Sequence, residues 1–235
     1  MTFLELVQRY CVESGLGSGP STVIGQTDDY LKAVNDINTA YKEIQGQHED
    51  WLFLLKSFAF SSSDIVATTP TGMPAEISFQ DTTVSTMPTD ISAFREGKFS
   101  CFLTATGSSD EQQLIFLPWD RFRLTFYQGA NRNNTGRPAY VSIKPSLELR
   151  FHPYFDADYT VVGEYYQEPQ KMVYDTDVPV FKQHHEAIMW KALMLYGAAM
   201  SEPDKYAFGR AQYVPMLRKL EITQLPRMTF GRPLV

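Results

Sequence analysis

Apolar residues recur at helical spacing at both ends of the chain and at the shorter period of strands between them. Near the N-terminus Phe3, Leu6, Val7 and Tyr10 share one face of a short helix predicted over 2–14. Thr2 stands where it can cap that helix, with Glu5 three positions on as a capping box requires. The run Gly15-Leu-Gly-Ser-Gly-Pro20 stops it, and Thr27-Asp-Asp-Tyr30 restarts helix. From Tyr30 an apolar seam passes through Val34, Ile37, Tyr41, Ile44, His48, Trp51 and Leu55 in alternating fours and threes, interrupted only by His48. That spacing predicts one helix over 28–56, about 40 Å long at 1.5 Å per residue, as the spine of the protein.

Past Lys56 the pattern changes. Prolines stand at 70, 74, 88, 118, 138, 145, 153 and 169, and between them lie short runs rich in β-branched and aromatic residues. Strands are predicted over 99–105, 122–127, 140–143, 147–151 and 159–166. Arg121-Phe-Arg-Leu-Thr-Phe126 and Glu148-Leu-Arg-Phe151 alternate polar and apolar, as half-buried strands should. Several short strands with turns between them read as a sandwich or small barrel. Within 83–97, Asp90-Ile-Ser-Ala-Phe-Arg-Glu-Gly97 has helical spacing and a glycine stop, which predicts a short helix. Gly129-Ala-Asn-Arg-Asn-Asn-Thr-Gly136 is polar and dense in turn formers, and reads as a mobile loop.

Helical spacing returns over 181–200, where Ile188, Ala192, Leu195, Tyr196 and Ala199 face one way and Trp190 with Leu193 widens the stripe. Ser201-Glu-Pro203 opens a last helix over 203–224, which Pro215 should kink or split near Gln212. The expected architecture is α+β. An antiparallel helical bundle is built from N-terminal helices (1–57) and C-terminal helices (177–225), with an inserted β-sandwich-like domain over 58–176 and a tail over 226–235. Two helix pairs around a β insertion describe an assembly subunit better than an enzyme.

Composition narrows the function. The chain has 235 residues, 43% of them hydrophobic and 20% charged, which suits a folded protein with a sizeable core. A net charge of −6 argues against sequence-independent nucleic-acid binding, which needs a basic surface to release counterions, although DNA could slide past such a protein. Apolar runs such as 51–55 are far too short to span a bilayer. The first residues lack the basic start and apolar core of a secretory signal, so synthesis in the cytosol is expected. Cys11 and Cys101, ninety positions apart, read as free buried thiols.

Candidate chemistry is thin. His184 and His185 are adjacent, so they cannot share a helix face, and the helical neighbours of His185 (Lys182, Ile188, Met189) are not zinc ligands. Glu186 is explained by a helix N-terminus. Asp156 with Asp158, and Asp175 with Asp177, lack the further oxygens of a calcium loop and fit turn chemistry. The glycine-rich run 15–20 follows a helix and lacks the Lys-Ser/Thr of a phosphate loop. No catalytic residue, metal or cofactor is expected.

Several segments in order along the chain are distinctive together: Met1-Thr-Phe-Leu-Glu-Leu-Val-Gln-Arg9, Pro118-Trp-Asp-Arg-Phe122, Gly163-Glu-Tyr-Tyr-Gln-Glu-Pro-Gln170, Asp177-Val-Pro-Val-Phe181, His185-Glu-Ala-Ile-Met-Trp190, Ala192-Leu-Met-Leu-Tyr-Gly197 and Leu217-Arg-Lys-Leu-Glu221. In them the chain resembles the head-to-tail adaptor (connector, head-completion) proteins of tailed bacteriophages. The resemblance implies a virion protein of the neck, made in the host cytoplasm, that turns over no substrate. It implies a ring of twelve copies under the capsid portal, with the helical bundle on the portal, the β domain toward the tail or nozzle, and DNA passing without specific binding or any membrane contact. Portal contacts would fall on the C-terminal tail, at Arg227, Met228, Phe230, Arg232, Leu234 and Val235. Tyr41, Trp51, Trp190 and Tyr196 would pack the bundle or subunit contacts, and Asn131, Arg132, Asn133 and Asn134 would form a tail-facing loop. Pro215 and the shortness of the tail depart from the family's look. The alternatives are a β-sandwich binding module of a tail fibre or host-attachment component and, third, a hydrolase.

Overall fold

A computed structural model of the chain describes residues 1–64 and 88–226. In chain order the elements are α1 (Phe3–Ser14), α2 (Asp28–Gln45), β1 (Leu55–Ser61), β2 (Ile91–Phe94), β3 (Ser100–Leu103), β4 (Gln112–Gln113), β5 (Ile115–Phe116), α3 (Trp119–Phe126), β6 (Tyr140–Ile143), β7 (Leu149–His152), β8 (Tyr159–Gln167), α4 (Glu186–Ala199) and α5 (Pro203–Gln224). The fold is α+β. It divides into a helical unit, from residues 1–54 and 169 onward, and a β unit over 55–168.

In the helical unit α1 begins with the expected capping box. The Glu5 N–H donates to Thr2 Oγ1 at 3.3 Å and the Thr2 N–H donates to Glu5 Oε2 at 2.9 Å. Gly15, at φ 81°, closes the helix in the left-handed conformation that glycine adopts without strain.

The single spine helix over 28–56 is corrected. α2 stops at Gln45, Gly46 follows, and after a turn Leu52–Leu54 forms one 3-10 turn before the chain enters β1 at Leu55. Ile37, Tyr41, Ile44 and Trp51 are all buried as their spacing requires. Trp51 reaches its place from beyond a turn, and its indole N–H donates to the Ile44 carbonyl at 3.1 Å. Gly46 is a poor helix former, and Glu49 with Asp50 would set negative charge at the C-terminal end of a lengthened helix, while the Trp51 side chain still satisfies the seam.

α4 is the centre of this unit. α1, α2 and α5 all pack on it, and Ala187, Ile188, Met189, Trp190, Ala192, Leu193 and Gly197 are buried around most of its circumference. The one-sided stripe expected for it is therefore too narrow, and Ala199 is exposed. α4 also starts at Glu186 rather than at 181, because His184 takes a left-handed φ of 62° that interrupts helical geometry. α5 runs unbroken through Pro215, so the expected split is absent. The proline lies on an exposed part of the helix, where water can serve the carbonyl that lacks its donor.

In the β unit β8 is the hub. β1 pairs antiparallel with it from Leu55↔Tyr166 to Ser61↔Thr160, and its other edge is shared by β3 and β2. β4 extends this sheet beside β3, while β5, β6 and β7 form a second sheet in which β5 and β6 run parallel. Residues of both sheets share one core, including Phe58, Phe60, Phe99, Cys101, Val141, Leu149, Phe151 and Val161. Gly163 on β8 is required by that core, since a Cβ there would lie 2.7 Å from the Phe58 ring and 2.9 Å from the Phe99 ring.

Two elements of this unit differ in type from their prediction. The stretch 122–126 belongs to helix α3, in which Trp119, Phe122 and Phe126 pack on one another at helical spacing behind Pro118, leaving Arg121, Arg123 and Leu124 exposed. The described part of 83–97 forms strand β2 rather than a helix. A register shift between Ile91 and Ala93 turns both Ile91 and Phe94 to the core, so two buried positions three apart imitate helical spacing.

Two helical glycines set how closely α5 approaches α4. A Cβ at Gly197 would lie 2.5 Å from the Tyr206 nitrogen, and one at Gly209 would lie 2.9 Å from the Met194 nitrogen and 3.0 Å from the Trp190 carbonyl oxygen. Alanine usually favours a helix over glycine by about 1 kcal/mol, but here backbone would have to move. Gly209→Ala is expected to destabilise the protein by roughly 1–3 kcal/mol, the usual cost of overpacking. Chemical denaturation checks this, and a stabilised variant would show that the helices can part freely.

Candidate functional site

A strap over 169–181 ties the C-terminal helices to the N-terminal pair, and its backbone is held by side chains of α2. Gln45 donates to the Gln170 carbonyl and accepts from the Gln170 N–H, both at 3.0 Å. Asn38 does the same for Met172, at 3.1 and 3.0 Å. The two amides lie seven positions apart on one helix face, so they act on alternate residues of an extended strap as a neighbouring strand would. Tyr41 Oη accepts from the Val180 N–H at 2.9 Å.

The carboxylates of the strap accept from backbone N–H groups, Asp177 within its own turn and Asp175 across to the connection between α1 and α2. Asp177 accepts from the Val173 and Tyr174 N–H groups at 2.6 and 2.8 Å, and Asp175 accepts from the Val23 N–H at 2.6 Å. The carbonyls of Asp177 and Asp175 take the N–H groups of Phe3 and Leu4, two donors at the helix start that have no partner within α1. Val173, Tyr174 and Val178 remain exposed on the outside of the strap.

The histidine pair is placed as structure. His185 donates through Nε2 to the Phe181 carbonyl at 2.7 Å, so its Nδ1 accepts from the Met1 ammonium at 2.9 Å. Burial first, and then the nearby ammonium charge, hold the ring below the ordinary histidine pKa. Glu186, in the first turn of α4, pairs with Arg9 of α1. Among the described residues no three His, Cys, Asp or Glu side chains are grouped to hold a metal ion, and no helix is long and apolar enough to cross a membrane.

In the β unit the loop Asn131–Asn134 is built on one 3-10 segment, Gly129–Asn133. Its base is clipped by the Tyr154 N–H donating to the Asn134 carbonyl at 2.8 Å and the Gly136 N–H donating to the Tyr154 carbonyl at 2.7 Å. Arg132 lies over the Tyr127 ring at 4.3 Å, while Asn131, Asn133 and Asn134 are exposed. Beneath them Phe126 stacks on His152 at 4.1 Å, and burial lowers the Arg150 guanidinium to about 10. At another turn Asp158 accepts from Ser61, Ser62 and the Ser63 N–H, and these bonds, that from Ser61 foremost, hold its carboxyl below the usual carboxylate range.

Tyr41 and Trp51 are fully buried inside the helical unit, Trp190 is buried with its edge toward Phe208, and Tyr196 is half-buried against Tyr10. Cys11 and Cys101 are free and buried, and burial raises both thiols. The proposed portal contacts Arg227, Met228, Phe230, Arg232, Leu234 and Val235 lie outside the described residues. Asn38, Gln45, Gly197, Gly209 and the Arg9–Glu186 pair escaped sequence reasoning. Only the Asn/Gln pair at seven-residue spacing offered a signal.

Half-buried carboxylates serve backbone donors, a histidine serves as a strut, and apolar side chains are left outside. The family model for SU10 adaptor proteins matches residues 1–233. The chain belongs to that family, and is thereby a structural head-to-tail adaptor of a bacteriophage virion that works in contact with other head and tail proteins. Among curated proteins none matches it.

Because His185 is held below its unfolded value, folding favours the neutral ring. That stability is complete above the ordinary histidine pKa of about 6.5 and is lost as pH falls through the lower, folded value. Between pH 7 and pH 5 the thermal midpoint of His185→Gln is expected to fall less than that of the natural chain. Equal falls would mean that the ring contributes nothing to the pH dependence.

Proposed function

We propose that twelve copies of this chain close into a ring that joins the capsid portal to the tail or nozzle and continues the channel through which DNA leaves. The observation that carries this is the match to the adaptor family along residues 1–233, which spans both the helical and the β unit. A closed ring needs two different faces on each subunit that fit one another. The helical unit offers exposed apolar side chains on distinct elements, Val173 and Tyr174 on the strap and Phe208 and Ile222 on α5. A net charge of −6 suits a wall that DNA passes without adhering. In this reading the helical unit meets the portal and the loop Asn131–Asn134 of the β unit meets the tail or nozzle.

The C-terminal residues 227–235 are the portal contact by their sequence, since Arg227 and Arg232 are set among Met228, Phe230, Leu234 and Val235. Truncation after Pro226 should leave the thermal midpoint unchanged and weaken attachment to purified portal rings by at least about ten-fold, with Phe230→Ala giving part of the loss. Counting copies on the portal by electron microscopy tests the rest. Twelve per portal is the expected result, whereas truncated protein binding at full affinity removes the role of the tail, and no attachment of the intact chain removes the proposal.

A further inference from the structure

The last helix is built to be covered on two sides. Gly209, Tyr213 and Leu220 are buried on its inner side. On the opposite face Ala211, Pro215, Arg218 and Ile222 follow one another at spacings of four and three, and all are exposed. Ile222 is 77% exposed, in a stripe where a solvated helix would carry polar residues, and Phe208, half-exposed, flanks the stripe with its ring against Trp190 of α4. Pro215 brings no N–H to the Ala211 carbonyl, four residues back on the same face, so an acceptor is left for an outside donor.

α2 carries the matching surface. Asp28, Leu31, Asn35, Thr39 and Lys42 are exposed along one face at the same spacings. Asp28 and Lys42 are fourteen positions apart, and so are Asp204 and Arg218, both exposed on α5. Each helix thus has an acid in its first turn, where its dipole favours one, and a base fourteen residues on, which in α2 lies in the last turn. Among the described residues none of these four groups has an ion pair within its own chain.

Laid antiparallel, the two helices set Asp28 against Arg218 and Lys42 against Asp204, two charge pairs about 21 Å apart at 1.5 Å per residue. The same register sets Leu31 on Pro215 and brings the Asn35 amide to the Ala211 carbonyl. Beyond the helix end, exposed Ile24 comes level with Ile222. Within one chain α2 and α5 each pack on α4 with these faces outward, so the occupant is another molecule.

We infer that the outer face of α5 in one copy of this chain docks antiparallel on the outer face of α2 in a second copy, in the register Asp28–Arg218 and Lys42–Asp204. The contact joins different faces, so it repeats head to tail, and it rests on the proposed ring for its closure.

Charge reversal decides the matter, with assembly read by native mass both alone and on portal rings. Lys42→Glu and Asp204→Lys should each weaken assembly about ten-fold by setting like charges together, without moving the thermal midpoint. Combined in one chain they should restore it to within about two-fold, because opposite charges again meet. Leu31→Cys in one chain and Pro215→Cys in another should give a disulfide-linked pair only when the two are mixed. A natural chain that assembles while both single reversals assemble equally well and no mixed cross-link forms would overturn this interface and leave the ring standing. A natural chain that stays monomeric alone and on portal rings would overturn both.

Discussion

The helical unit depends on a helix with almost no face left for water. α4 is apolar around most of its circumference, so no single partner could bury it, and it is enclosed by α1 and α2 from one end of the chain and α5 from the other. A helix of that character left exposed would be an aggregation site, so α4 needs both ends of the chain to cover it. Gly197 and Gly209 let the α5 backbone come close enough to close the last side. The strap then secures the arrangement without a core of its own, since Asn38 and Gln45 supply the hydrogen bonds that a neighbouring strand would have supplied. An unpaired amide there would leave buried backbone groups unsatisfied, which costs more than the bond itself is worth.

The helices at the chain ends and the strands β6, β7 and β8 were legible in the sequence because each has one dominant period and clear punctuation. Errors arose where two geometries give the same spacing. The β-bulge in β2 brings Ile91 and Phe94 to one side, which reads as a helix turn. In α3 the alternation from Arg121 to Phe126 resembles a strand, and only Trp119, three before Phe122 and seven before Phe126, reveals the helical face. The seam that should have extended α2 to residue 56 is real as a set of buried residues, yet Trp51 joins it from beyond a turn. Apolar spacing records which residues reach the core and does not record the path that brings them there.

Candidate sites were less legible for a related reason. Asp177 does the turn chemistry that its local sequence announces, whereas Asp175 accepts from Val23 and Asp158 from Ser61, Ser62 and Ser63, all far away in the chain. The amide clamp joins positions more than a hundred residues apart, and the seven-residue spacing of Asn38 and Gln45 marks a shared face without saying what it holds. The unpartnered side of α5 is also invisible to a simple reading of amphipathicity. Apolar residues on two opposite faces cancel, and the helix looks patternless although each face is regular. For an adaptor this is the expected form of functional surface, since its chemistry consists of contacts repeated between proteins.

Both chain ends are expected to form one cooperative unit around α4. Native-state hydrogen exchange measures it directly, residue by residue. The slowest amides of α1, α2 and α4 should open with one shared free energy and the same dependence on denaturant. Protection of α1 and α2 that persists while α4 and α5 exchange freely would contradict the claim, and would show that the N-terminal pair folds without the helix that the rest of the unit encloses.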